Sequence, residues 1–185
     1  MRRTSVLTYL SILALVGAVI SEAAGWSGGR DWLVLVWAVL MLPVSIGLFA
    51  HPMRAPALGL FVGVWGTVAV LVLIVLQTLA IAEVLSAGWT SWPLAVIGIW
   101  FVVASSLGFG AHPFPAFVDV LGLLTGAGFI ALGAATIAGG STLPKAAGVV
   151  AGVAYVLWAA GLGWVFWSMP STLLAFRGMA VEPRT

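Results

Sequence analysis

Residues 57–86 read ALGLFVGVWGTVAVLVLIVLQTLAIAEVLS, thirty positions that carry one charge, Glu83, and one amide, Gln77. As a helix this run rises about 45 Å, against roughly 30 Å of hydrocarbon in a bilayer. It is long enough to cross a membrane with tilt or to project beyond it. Five further apolar runs flank it, at about 5–24, 32–50, 93–111, 115–138 and 146–169, followed by a short C-terminal tail at 170–185. The breaks between them are short and rich in Gly, Pro, Ser and Trp, for example Gly25-Trp26-Ser27-Gly28-Gly29-Arg30-Asp31. None is long enough to fold alone. The expected architecture is therefore a single all-α integral membrane domain spanning 1–185, a bundle of six transmembrane helices.

Composition agrees. The chain of 185 residues is 63% hydrophobic and 6% charged, with a mean hydropathy of +1.22. Soluble domains are about one quarter charged, so a water-facing surface cannot be assembled here, and the bilayer is the expected partner. With no cysteine, disulfides, iron–sulfur clusters and thiolate metal sites are excluded. The pI of 9.7 rests on a net charge of only +2; it gives orientation and does not point to nucleic acid.

Lys and Arg placement sets that orientation. An N-in, six-helix arrangement puts Arg2, Arg3, Arg54, Arg177 and Arg184 inside and Arg30 and Lys145 outside. The positive-inside rule then predicts a plasma (inner) membrane protein with both termini cytoplasmic. Trp26, Trp32, Trp89 and Trp92 gather at the outer breaks, as an aromatic belt requires. A competing reading of the first run is a cleaved signal peptide ending near Ser21-Glu22-Ala23. It is set aside because the run is long for a signal and belongs to a repeat.

That repeat is internal. Ser45-Ile46-Gly47-Leu48-Phe49-Ala50-His51-Pro52-Met53-Arg54-Ala55 recurs as Ser106-Leu107-Gly108-Phe109-Gly110-Ala111-His112-Pro113-Phe114-Pro115-Ala116, six of eleven residues identical at an offset of 61. At the same offset Ile20-Ser21-Glu22 matches Ile81-Ala82-Glu83. Leu58-Gly59-Leu60-Phe61-Val62-Gly63 matches Leu121-Gly122-Leu123-Leu124-Thr125-Gly126 at an offset of 63. Two-helix hairpins repeated in parallel are expected, with helices 5–6 as a decayed third copy.

The candidate site residues are few. His51 and His112, the two histidines of the chain, each precede proline. Proline disfavours helix at the residue before it, so both read as helix stops at the inner interface. The sharper alternative is a pair of haem or metal ligands. A haem there would stand half in water and a metal would need further donors, so no cofactor is predicted. Asp119 reads as a carboxylate complementing the start of helix 5, with Arg54 as its partner, or as a membrane-embedded functional group. Glu22 and Glu83 read as solvated helix ends or as the mouth of a cavity. Gln77 is the one strongly polar side chain deep in an apolar run; Ser45, Ser105, Ser106, Thr67, Thr125 and Tyr155 complete the polar set. Pro43 should kink helix 2.

Gly59 and Gly63, Gly122 and Gly126, and Gly148 and Gly152 are four-residue glycine pairs. Each places two small residues on one helix face, a pattern that lets helices approach closely in lipid. Packing within the bundle is the first reading of these pairs and homo-oligomer contact the second.

There is no phosphate-binding loop, nucleophile elbow, zinc-protease motif or intramembrane lysine. An enzyme is not expected. The first functional reading is a non-catalytic accessory or scaffold component that meets other membrane subunits. The second is a small-solute carrier or pore between the repeated hairpins. The third is a histidine-based haem or metal subunit.

Overall fold

A computed structural model describes residues 2–49, 56–108, 115–139 and 142–168. Six α-helices account for nearly all of them: α1 (Arg2–Ala23), α2 (Ser27–Phe49), α3 (Pro56–Ile81), α4 (Ser91–Gly108), α5 (Ala116–Ala138) and α6 (Thr142–Ser168), with a 3₁₀ turn at Ala87–Thr90. All six are long and apolar enough to cross a membrane. In lipid the backbone has no water to bond, so intrahelical pairing is the way a single segment satisfies its N–H and C=O groups.

The boundaries depart from expectation in three instructive places. α2 begins at Ser27, because the glycine-rich stretch that reads as a turn is its first turn. Trp26 lies across that turn, so closely that a Cβ at Gly29 would collide with its ring. α3 stops at Ile81, although the apolar run continues to residue 86. The Val84 amide reaches back to the Leu79 carbonyl at 2.9 Å, and Glu83 adopts a left-handed φ of 59°. That reversal closes the helix, a role glycine usually takes. α6 begins at Thr142, taking Pro144 into its first turn, where a missing N–H costs nothing.

Each helix packs on its chain neighbours, and α6 returns to pack on α1. Specific contacts fix the α1–α6 and α2–α3 seams as antiparallel, and the short turns do the same for the rest. Ser5 Oγ donates to Gly163 O at 2.7 Å between α1 and α6. Ser45 Oγ lies 3.5 Å from Thr67 Oγ1 between α2 and α3, and Gln77 Nε2 donates to Asp31 O at 3.1 Å further along the same seam. The start of α1 and the end of α6 therefore share one end of the bundle, here the terminal end. The α1–α2, α3–α4 and α5–α6 turns share the other, the distal end. Exposed Trp26, Trp32, Trp89 and Trp92 ring the distal end, and exposed Trp164 and Trp167 mark the terminal end.

A ring of six helices leaves a central space, and aromatic side chains fill it. Trp37 from α2, Trp100 and Phe101 from α4, Phe129 from α5, and Tyr155 and Trp158 from α6 are all buried. Phe101 stands edge-on to Trp158 at a centroid distance of 4.7 Å and to Trp100 at 4.8 Å, and Trp37 stands edge-on to Tyr155 at 5.5 Å. Edge-to-face pairs gain about 0.5–1.5 kcal/mol beyond simple contact. Trp37 also reaches Phe129 at 5.7 Å, so the plug joins α2 to α5 across the ring.

Candidate functional site

Polar chemistry is confined to a few places. At the distal end Arg30 holds two carboxylates. Its Nη1 is 2.9 Å from Glu22 Oε2, and its Nη2 and Nε are 2.7 and 2.8 Å from Asp31 Oδ1. Asp31 is one turn into α2, where the helix dipole favours a negative charge. Its carbonyl also receives the buried Gln77 side chain, so one short stretch of α2 ties the ends of α1 and α3 together. Exposed ion pairs of this kind contribute little to stability; this one fixes three helix ends in register. Glu83, at the corresponding end of α3, is exposed, and among the described residues no cation pairs with its carboxylate.

Inside the ring, near the middle of their helices, Ser11, Met41 and Tyr155 meet. Ser11 Oγ is 2.6 Å from Thr8 O and 2.7 Å from Tyr155 Oη, and Tyr155 Oη is 3.0 Å from Met41 Sδ. The Ser11 proton goes to the Thr8 carbonyl. Tyr155 is then the donor, with the serine oxygen and the thioether sulfur as its acceptors. The node leaves none of its hydroxyls bare in an apolar surround. The Trp100 indole N–H is buried with no hydrogen-bond partner among the described residues. The ring sits in a notch opposite Gly66, where a Cβ would collide with it.

α4, α5 and α6 meet more tightly than any other set. A Cβ at Gly98 would lie 2.7 Å from the Gly126 carbonyl oxygen, and one at Gly126 would lie 2.6 Å from the Gly98 oxygen. A Cβ at Gly128 would lie 2.7 Å from Ala151 Cα. At Gly122 a Cβ would strike Ser105 Oγ, with Trp158 Nε1 at 3.2 Å. Asp119 is buried three residues earlier on α5, at the terminal end of this seam. A Cβ at Gly148 would meet Leu132 Cδ1 at an ordinary 3.7 Å, and one at Gly152 would meet no other helix within 4 Å among the described residues. Of these glycine pairs, the one on α5 lies at a backbone-to-backbone crossing and the one on α6 does not. On α3, Gly63 is buried within the span that also carries Gly59.

The α3–α4 seam is different. It opens outward as a groove of about 770 Å³. Phe61, Val64, Trp65, Val68, Val72 and Leu76 form its α3 wall. Trp89, Trp92, Pro93 and Val96 face them.

His51, Arg54 and His112 lie outside the described residues, so the geometry of an Ala-His-Pro pair is not part of this site. Among the described residues no group of three or more His, Asp or Glu side chains is placed to hold a metal. The structure brings Glu22 and Gln77 to one cluster through Arg30 and Asp31, with Glu83 separate from it and Asp119 at the opposite end. Sequence reasoning missed the Arg30 clamp. The signal was available: Arg30 and Asp31 are adjacent, and Glu22 lies one short turn away. It also missed the groove between α3 and α4. No family model, no curated protein and no solved structure matches this chain.

Proposed function

We propose that this chain is a non-catalytic, multi-pass component of the plasma (inner) membrane, with both termini cytoplasmic, that serves as an accessory or scaffold subunit for other membrane proteins. The aromatic plug carries this reading. A carrier of the size of this chain would route solute through the ring, and Trp37, Phe101, Phe129, Tyr155 and Trp158 occupy that position. The polar groups beside them are few, and Ser11, Tyr155 and Met41 are engaged with one another. The groove between α3 and α4 lies on the outer surface, which suits a protein that meets partners in the membrane.

The orientation rests on the sequence bias of five Lys and Arg in the segments an N-in arrangement puts inside against two outside. Each of the first two hairpins has an acidic residue where its first helix ends, Glu22 and Glu83, consistent with duplication of a two-helix unit.

Gentle extraction from its own membrane, followed by native mass measurement, tests the reading. A stoichiometric complex with other membrane polypeptides is expected. The reading fails if the purified chain alone supports solute flux in proteoliposomes above that of empty vesicles, or if its absorption spectrum carries a Soret band. Cysteines at Ser27 and Thr185 test the orientation; labelling of both from one side of the membrane contradicts it.

A further inference from the structure

The groove between α3 and α4 has three properties that together describe an occupant. The first is its length. Its α3 wall runs from Phe61 to Leu76, about 22 Å at the rise of a helix. It begins five residues from the distal end of α3 and ends twenty residues from it. Measured along the helix it lies between about 7 and 30 Å from that end. One leaflet of hydrocarbon is about 15 Å deep. The α3 wall of the groove therefore reaches through both leaflets, with the α4 side facing its distal part, whereas the acyl chain of a single lipid stays within one.

The second property is stiffness. Val64, Val68, Val72 and Val96 supply much of the surface, and β-branched side chains hold one dominant rotamer in a helix. Such a wall is preformed and loses little side-chain entropy when covered. In lipid, association rests on this kind of close apolar packing rather than on expulsion of water.

The third property is a charge in the turn that leads to the opening. Trp89 and Trp92 line the distal opening, and Glu83 lies in the turn that carries the chain from α3 to Trp89. Its carboxylate is exposed and has no ion-pair partner among the described residues, whereas Glu22 and Asp31 are both held by Arg30. Its left-handed φ of 59° is a conformation that costs free energy in any residue with a Cβ and tends to persist where function needs it. A second copy docked through the same groove about a two-fold axis would set Glu83 against Glu83. Like charges at the membrane edge oppose that arrangement and call for a basic partner.

We propose that the α3–α4 groove is the docking site for one transmembrane helix of a different polypeptide, apolar along its length and bearing a Lys or Arg at its distal end that pairs with Glu83. This deepens the accessory-subunit reading and rests on it. The occupant crosses the bilayer beside Val68 and Val72 and leaves it beside Trp89 and Trp92.

Photo-crosslinking in the protein's own membrane tests the assignment. Benzoylphenylalanine is placed at Val68 or Val72 in the groove and at Val150, an exposed residue of α6, as the control. Crosslinked peptides are then sequenced by mass spectrometry. Both groove positions are expected to join the same transmembrane segment of one other protein, with a basic residue within a turn of its distal end. Glu83→Lys should lower that yield by about fivefold or more, and Glu83→Gln by less. Adducts with lipid alone, with a second copy of this chain, or spread over many proteins at the Val150 level would overturn the proposal. So would a yield indifferent to both Glu83 variants. If the native complex forms while the groove yields only lipid adducts, the docking site is wrong and the accessory reading stands. If no complex forms either, both fall.

Discussion

The centre of the ring and the α3–α4 seam are built from the same residue types and behave in opposite ways. In the centre, Trp37, Phe101, Phe129, Tyr155 and Trp158 pack on one another in edge-on and tilted pairs. At the seam, Phe61, Trp65, Trp89 and Trp92 line about 770 Å³ of open space. The difference lies in what each ring meets. Inside, small residues let backbones close around the aromatics: Gly98 and Gly126 touch, Gly128 rests on Ala151, and Gly66 accepts Trp100. Outside, valines of α3 and tryptophans at the start of α4 line the opening without closing it. Where a membrane protein puts its glycines decides where its space is. In this chain the space is on the lipid side.

The comparison can be broken first at the centre. Phe101→Ala removes the ring that touches Trp100, Phe129 and Trp158. It should cost about 3–5 kcal/mol, read from thermal unfolding in detergent. A loss below about 1 kcal/mol would mean that the centre is loosely filled. The next test contrasts two glycines. Gly98→Val pushes a side chain into the Gly126 backbone and should cost about 1–3 kcal/mol. Gly152→Ala, with nothing within 4 Å to meet, should stay within about 0.5 kcal/mol of the parent. Equal effects would remove the distinction between the two seams. Tyr155→Phe takes one hydroxyl from Ser11 and Met41 and should cost about 1 kcal/mol, a typical value for a hydrogen bond in a bundle core. The smallest effect is expected at the groove. Val72→Trp partly fills it and should change stability by less than about 0.5 kcal/mol, since no packed neighbour is displaced. A large loss there would show that the groove walls are in contact.

Much of the architecture is legible in the apolar runs, because a stretch that must satisfy its backbone in lipid has few options. The run read as 115–138 forms α5 at Ala116–Ala138. Ends set by backbone detail are harder. Glu83 takes a turn conformation its residue type disfavours, and the glycines at 28 and 29 enter α2 instead of breaking it. The interior was less legible still. A soluble helix declares its buried face by a polar stripe opposite, but these helices are apolar all round. Trp26, Trp32 and Trp92 are marked as interfacial by their place at the breaks, but nothing in the sequence says that Trp37, Trp100 and Trp158 turn inward while Trp65 and Trp164 face out. The α1 stripe of Ser5, Thr8 and Ser11, three residues apart, was the nearest available signal, and all three are buried. Of the candidate site, Gln77 was legible as a lone polar group in a long apolar run. Its partner, the Asp31 carbonyl, belongs to backbone geometry that sequence does not display.

The central claim is that the middle of the ring is solid. Ala38 on α2 and Ala159 on α6 are fully buried in that core, and the chain has no cysteine of its own. Single Ala38→Cys and Ala159→Cys proteins, reconstituted in liposomes, can be challenged from each side with a small charged methanethiosulfonate. Both thiols should stay unmodified until detergent and denaturant open the bundle. Rapid modification of either one in the intact membrane would reveal a water-filled path through the ring and contradict the account.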